Sequence, residues 1–370
     1  MWISLLVLGL VGCESSGFFR NPYTDALEAE SASWGRGTDN AVAAPIASRA
    51  SSDAPVPACR IERGPVPEGA PALEITAIDV GQGDGLLLIG PSGKTMLIDG
   101  GNAFHPRSKP EDTDLYFGGR RRDMGLEAVL PYLQSRGIDS LDVVVGSHPH
   151  ADHIGGLVAV VREIPVGRYV DPGVAYSSDT YATLLEELSA RRITYQVAQV
   201  GDSLAWDPLV SCRVLGPDPG PDGNVNNSSV VLQVEYGGFR ALLTGDAEHE
   251  AEQELLRSGL LRSACLLKVG HHGSRTSTSP GFLRVVQPQV AVISCGRRNK
   301  FHHPHPVTLK RLTQGRVELF RTDKHGRVSF LTDGNVLQVD VELHGGVPVS
   351  WAPDESMELA ARAPAAGRIH

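Results

Sequence analysis

Residues 147–156 read SHPHADHIGG and follow the apolar run LDVVV after one glycine, Gly146. Three histidines and an aspartate, His148, His150, Asp152 and His153, fall within six positions. In a loop leaving a buried strand, side chains at alternate positions converge on one ion, and the next pair serves a neighbouring one. Imidazole and carboxylate donors suit zinc or manganese, and the lack of cysteine in the cluster argues against an iron–sulfur or thiolate site. Such a polar cluster beside a buried strand is costly unless something pairs with it. Asp152 has a second candidate role, as general base or as the group that orients a metal-bound water.

Outward from this loop the pattern is regular. LEITAIDVG, GLLLIG and KTMLIDGG are short β-rich runs broken by Gly, Pro and Asp, and they predict antiparallel strands. MGLEAVLPYLQSRGI, GGLVAVVREI and DTYATLLEELSARRI have helical spacing, the last with Asp179 or Thr180 as cap. VVLQVEYGGFRALLTGD predicts a hairpin about a Gly-Gly turn, and HEAEQELLRSG a helix ended by Gly259. CLLKVGHHGS, VAVISCG, VELFRT, VSFLT and VLQVDVEL supply the remaining strands. Interleaved strands and helices without strict βαβ alternation predict two sheets with helices outside. This core is expected over residues 71–344.

The flanks differ. Residues 1–13 carry a short apolar run, too short for a permanent membrane span and like a signal-peptide core. Leu10-Val11-Gly12-Cys13 resembles the bacterial lipobox, which implies lipidation of Cys13 and an exported, envelope-anchored protein on the periplasmic face or outer membrane. No Lys or Arg precedes the run, a departure from that pattern. Residues 14–70 are rich in Ser, Ala, Pro, Gly and charge and are expected to be a disordered tether. Residues 345–370 are expected to be a flexible tail. Cys212, Cys265 and Cys295 each lie in apolar stretches and are expected to be plain buried thiols. With 34 basic against 43 acidic residues the net charge is −9, which argues against passive, charge-driven nucleic-acid binding. It leaves room for an enzyme whose bound cations supply positive charge locally.

HPHADH fits the HxHxDH signature of the metallo-β-lactamase superfamily. Asp99 in LIDGG, Asp246 in LLTGD and His271-His272 in KVGHHGS follow in the order that family has. DVGQGDGLLLI (79–89), NNSSVVLQVEYGGFRALLTGD (226–246), LKVGHHGSRTSTS (267–279) and FHHPHP (301–306) further resemble the soluble hydrolase domain of ComEC-type competence proteins, without their membrane channel. The resemblance implies an α/β (α+β) fold, a four-layer αββα sandwich, and two divalent metal ions, zinc or manganese. It places His148 and His150 on the first ion, Asp152 and His153 on the second, and Asp246 between them. His271 or His272 supplies a further ligand. Asp99 would buttress the loop. Many superfamily members carry another ligand histidine shortly before the bridging aspartate, but no histidine lies between His153 and Asp246 here. NNSS occupies that region, with Asn227 and Ser229 near the site.

Several accessory groups are candidates for contact with phosphate. Lys268 either reaches an anionic substrate or sits at a strand edge in solvent. Ser274 donates to phosphate or serves a turn. Arg120, Arg121 and Arg122 form a basic rim or a solvated charge run. His303 is the candidate leaving-group acid, with His305 beside it. Asp84 orients near the site or caps a turn. The leading expectation is an exported metal-dependent phosphodiesterase or nuclease, with DNA among its substrates. The alternatives are a hydrolase of a small ester, lactone, β-lactam or phosphorylcholine ester, and a non-catalytic binding module on the same fold.

Overall fold

The computed structural model describes residues 58–103, 122–217 and 223–342. The expected signal segment with Cys13, most of the expected tether, Arg120, Arg121 and the expected tail lie outside them.

Among the described residues, nine strands form one sheet in the order β1-β15-β14-β2-β3-β4-β5-β6-β7. They are β1 (Glu62–Arg63), β2 (Leu73–Ala77), β3 (Leu86–Ile89), β4 (Thr95–Ile98), β5 (Leu141–Val145), β6 (Val166–Asp171), β7 (Thr194–Val197), β14 (Val328–Thr332) and β15 (Val336–Val341). The second sheet runs β13-β12-β11-β10-β9-β8. Its strands are β8 (Ser211–Gly216), β9 (Val231–Tyr236), β10 (Phe239–Leu243), β11 (Leu266–Lys268), β12 (Val290–Ile293) and β13 (Glu318–Arg321). As the sequence predicts, β2, β3 and β4 are antiparallel neighbours, and β9 and β10 are a hairpin across Gly237-Gly238.

Side-chain alternation builds the layers. On β2, Leu73, Ile75 and Ala77 face inward; on β5, Val143 and Val145; on β10, Phe239, Ala241 and Leu243. These pack together between the two sheets. On β5, Val144 points the other way, onto helices α1 (Leu130–Ser135), α2 (Ala151–Ile154), α3 (Leu157–Glu163) and α4 (Asp179–Ala190). Leu242 of β10 and Leu267 of β11 face α5 (His249–Ser258), α6 (Pro280–Val286) and α7 (Pro306–Gln314). Period-two strands buried on both faces thus produce the αββα order.

Helix α1 is entered through a π-helical turn, Gly125–Val129, ahead of Pro131. Ser178, not Asp179 or Thr180, caps α4, because its Oγ accepts from Tyr181 N at 3.1 Å. Gly259 ends α5 in the left-handed conformation at φ 66°.

Two expectations need correction. Cys265 is not a free thiol: it is disulfide-bonded to Cys59, 206 residues away, whereas Cys212 and Cys295 are free and buried. Apolar neighbours signal burial but say nothing about which distant chain segment arrives alongside. Residues 58–70, expected as part of the tether, also carry defined contacts. β1 pairs in parallel with β15, and Ile61 exchanges hydrogen bonds with the Gln289 side chain at 3.1 and 3.0 Å. The segment's polar composition hides this, because a two-residue edge strand leaves no periodic signal.

Candidate metal centre

The candidate site lies where both sheets end in loops. Asp99 follows β4, the 147–153 loop follows β5, Asp246 follows β10, and His271-His272 follow β11. Asp84 enters from the turn before β3, which is antiparallel to β4 and so begins where β4 ends.

Asp99 fixes the histidine loop. Its carboxylate accepts from Ser147 N and Ser147 Oγ, each at 2.7 Å, and lies 2.7 Å from His153 Nδ1. With Nδ1 so engaged, His153 turns Nε2 toward Asp246 Oδ2, 3.3 Å away. His148 is buried, with Nδ1 3.1 Å from Ser147 Oγ and Nε2 2.9 Å from His150 Nδ1. His272 is buried with Nδ1 3.0 Å from Ser294 O, and its Nε2 lies 3.4 Å from both Asp152 Oδ2 and Asp246 Oδ2. His271 sits at the rim: Nδ1 is 2.7 Å from Glu248 Oε1 and Nε2 is 3.7 Å from Asp246 Oδ2.

The backbone around this cluster is tightly shaped. Gly83 adopts φ +136°, and a Cβ there would lie 2.1 Å from Asp152 O, so only glycine lets this turn back the histidine loop. His271 and His272 both adopt left-handed backbone, φ 47° and 52°. Two such residues in succession are costly for non-glycine side chains and cluster at functional sites.

The electrostatics show what the site is shaped to hold. Burial disfavours a charged His153, but Asp246 and Asp99 outweigh it and raise its pKa well above the ordinary value. Burial likewise opposes charge on His272, and Asp246, Asp152 and Asp84 overcome it. Against burial, His272 and His153 hold Asp246 well below the usual carboxylate range and lower Asp152 as well. His148, by contrast, is pushed well down by burial and by His153. The centre therefore demands positive charge. His153 Nε2, His272 Nε2 and Asp246 Oδ1 are buried without hydrogen-bond partners among the described residues. Unpartnered imidazole nitrogens and carboxylate oxygens converging on one space fit a divalent cation. Donor atoms of Asp84, His153, Asp246 and His272 all lie within 4.8 Å of one another.

The accessory candidates separate. Lys268 is neither at a solvent edge nor at the substrate face: it is fully buried, 2.6 Å from Asp84 Oδ2, and donates to Val269 O at 3.0 Å. Asp84 Oδ1 lies 3.3 Å from His272 Nδ1. Asp84 is thus both one of the clustered donors and the buried ion-pair partner of Lys268, and it is Asp79 that serves the turn, accepting from Gly81 N at 3.1 Å. Burial would raise the Asp84 pKa, but Lys268 and His272 bring it down to about 2. Ser274 Oγ is engaged with Thr276 in a turn. Arg122 pairs with Glu127 at 2.7 Å.

His303 reaches the rim, its ring 5.5 Å from His271 and 6.4 Å from His272. Burial and those two histidines push its pKa down to about 4, so it stands neutral near pH 7. His305 caps α7, accepting from Val307 N at 3.2 Å. Of the NNSS run, Ser229 Oγ accepts from Asp246 N at 3.0 Å and lies 3.5 Å from His148 Nδ1, and Asn227 Oδ1 accepts from Glu248 N at 3.0 Å.

Sequence reasoning missed Glu248. Its Oε1 lies 2.7 Å from His271 Nδ1, and its carboxylate receives hydrogen bonds from Asn224, Asn226 and Thr276 at 2.9, 3.2 and 3.0 Å. Its only signal in the sequence is its position two residues after Asp246.

The family description of the metallo-beta-lactamase superfamily matches residues 78–297, and the chain belongs to that superfamily. Among curated proteins it is 34% identical over 259 residues to ComE operon protein 3 of Bacillus subtilis (strain 168), covering 70% of this chain and 33% of that one. It is 32% identical over 265 residues to Recombination protein 2 of Haemophilus influenzae, covering 71% and 29%. It is 31% identical over 268 residues to Competence protein ComA of Neisseria gonorrhoeae, covering 71% and 33%. The chain spans about a third of the length of these relatives. Among solved structures, it matches the metallo-beta-lactamase fold protein YhfI from Bacillus subtilis at 11% identity and a TM-score of 0.44, over 70% of this chain and all of that one.

Proposed function

We propose that the chain is an exported, metal-dependent phosphodiesterase acting on nucleic acid. The observation that carries the reading is the set of groups around Asp246. Nε2 of His153, His272 and His271 approach one of its oxygens at 3.3, 3.4 and 3.7 Å, with Asp152 beside them and His148 and His150 adjoining. Two divalent cations held there would generate hydroxide from water near neutral pH and offset charge on the attacking and leaving oxygens of a phosphodiester.

The chain's own residues supply the rest. Asp246, ionised and buried, would be among the groups that hold metal. Asp152, also ionised and 3.4 Å from His272 Nε2, is placed to bind and to orient the water. Asp99 and Ser294 hold His153 and His272 by Nδ1, which keeps their Nε2 atoms aimed inward. His303, neutral at the rim, is placed to touch the substrate.

Two further observations support a polyanionic substrate. Arg297, Arg298 and Lys300 are exposed on the loop that leads to His303, where they offset locally a net charge of −9. On the same loop Phe301 is 38% exposed and stacks on His303 at 5.8 Å, the kind of surface on which bases stack. Two relatives bear names that speak of recombination and competence, which supports a nucleic-acid substrate. The Cys59–Cys265 disulfide supports export, since such bonds persist in oxidising compartments; membrane attachment through a lipidated Cys13 is part of the same proposal.

The test is cleavage of single- and double-stranded DNA by the purified protein with added manganese or zinc, beside Asp246→Asn. Metal-dependent cleavage that the variant loses by about 10³-fold or more supports the reading. Metal bound at full occupancy with DNA left intact would sink it and turn attention to small esters.

A further inference from the structure

Resting on the reading of the site as a nucleic-acid phosphodiesterase, we propose that the loop 296–303 is a base-stacking subsite. Phe301, stacked on His303, receives the face of the base that adjoins the scissile phosphate. This selects an unpaired strand or a frayed end over intact duplex.

Three observations carry the proposal. First, the aromatic surface is continuous with the candidate metal centre. An exposed phenyl ring is ordinary by itself; what distinguishes Phe301 is its place. Its ring lies 5.8 Å from that of His303, with 27° between the planes, and His303 lies 5.5 Å from His271 and 6.4 Å from His272. His272 in turn directs Nε2 at Asp152 and Asp246. A strand with a phosphate at the centre therefore has its next base within reach of Phe301, one ring beyond His303.

Second, the loop is fastened to the site at both ends and braced within. Gly296 N donates to Gln82 Oε1 at 3.1 Å, beside Gly83 in the turn that backs the histidine loop. His305 N donates to Gly273 O at 2.9 Å, in the turn that carries His271 and His272. Between these points Asn299 Nδ2 donates to Gly296 O and His303 O at 2.9 and 2.6 Å, and Asn299 Oδ1 accepts from His303 N at 3.0 Å. Arg298 and His302 adopt left-handed backbone, φ 51° and 56°. Such strain persists where the surroundings fix the chain, and it gathers at ligand clamps. A platform set in advance loses little conformational freedom when a base arrives.

Third, the charge beside the platform suits a nucleotide. Arg297, Arg298 and Lys300 are exposed, and Lys300 Nζ lies 5.8 Å from the Phe301 ring centroid. An aromatic face for the base and cations for its phosphate meet both halves of the ligand. Within a duplex both faces of each interior base are covered by its neighbours. Only an unpaired or terminal base can offer a face to Phe301, and every base can do so, so the subsite reads strandedness and not sequence.

The experiment uses the full chain loaded with Mn(II). Binding is followed by fluorescence anisotropy with cleavage-resistant phosphorothioate strands: an oligothymidylate, the same strand annealed to its complement, and an abasic strand of equal length. Wild type is expected to bind the oligothymidylate roughly 5–150-fold more tightly than the abasic strand. Phe301→Ala should lose most of that difference, and Phe301→Trp, which keeps a stacking face, should retain it. On ordinary phosphodiester strands the loss in Phe301→Ala should appear in KM and not in kcat, and the preference for single strand over duplex should narrow with it. Equal wild-type affinity for base-bearing and abasic strands would overturn the proposal, as would no binding of any strand. So would an alanine variant that weakens base-bearing and abasic strands alike, which is the mark of a structural role. Cleavage that proceeds without dependence on Phe301 would overturn the subsite and leave the phosphodiesterase reading standing. Phe301-dependent binding with no cleavage would do the reverse, leaving a binding surface without the activity.

Discussion

Lys268 lies beside the candidate metal centre with no solvent contact, and among the described residues its ion-pair partner is Asp84, 2.6 Å away and itself buried. Replacing it with methionine conserves most of the side-chain volume and leaves the Asp84 carboxylate buried with its cation gone. Breaking a buried pair from one side costs about 3–5 kcal/mol. The titration of Asp84 bears on the same pair, with His272 and His153 contributing beside Lys268. Its pKa falls from 3.8 to about 2 in the folded chain, and at about 1.4 kcal/mol per unit this is about 2 kcal/mol of stabilisation at neutral pH. Because the folded value lies below the unfolded one, that contribution is present above about pH 4 and is lost as pH falls toward 2. The assay is urea unfolding at pH 7 with the disulfide intact and a chelator present, so that metal binding does not enter. Lys268→Met is expected to lose about 3 kcal/mol or more. Lys268→Met with Asp84→Asn should recover about 2 kcal/mol of that, because no unpaired charge remains. A loss below about 1 kcal/mol, or a double variant as unstable as the sum of the singles, would refute the argument that the pair is held by mutual neutralisation.

Gly83→Ala sets a Cβ against Asp152 O at 2.1 Å and strains φ +136°; it should cost at least about 2 kcal/mol in thermal or urea unfolding and weaken metal binding with it. Cys59→Ser opens the link across 206 residues and should lower stability by about 2–5 kcal/mol, read as the gap between oxidised wild type and the variant. Ser178→Ala removes the bond to Tyr181 N at 3.1 Å and should cost about 1 kcal/mol with metal content unchanged.

The sequence by itself determined the superfamily, the main order of elements and most of the residues that gather at the candidate site. HPHADH, LIDGG, LLTGD and KVGHHGS carry residue types and spacings that chemistry constrains locally, and alternation along β2, β5 and β10 announces strands buried in layers. It did not determine what depends on segments distant in the chain meeting. Lys268 looks the same in sequence whether it faces solvent or Asp84, 184 positions earlier. Cys265 looks like any buried thiol until Cys59 arrives beside it. Glu248 has no motif of its own and becomes part of the site only because the asparagine run and the left-handed turn bring His271 onto it. The difference between His271 and His272 is likewise tertiary. Two adjacent imidazoles look alike in a sequence; in the fold His271 Nδ1 lies against Glu248, just before α5, and His272 Nδ1 against Ser294 O, just after β12.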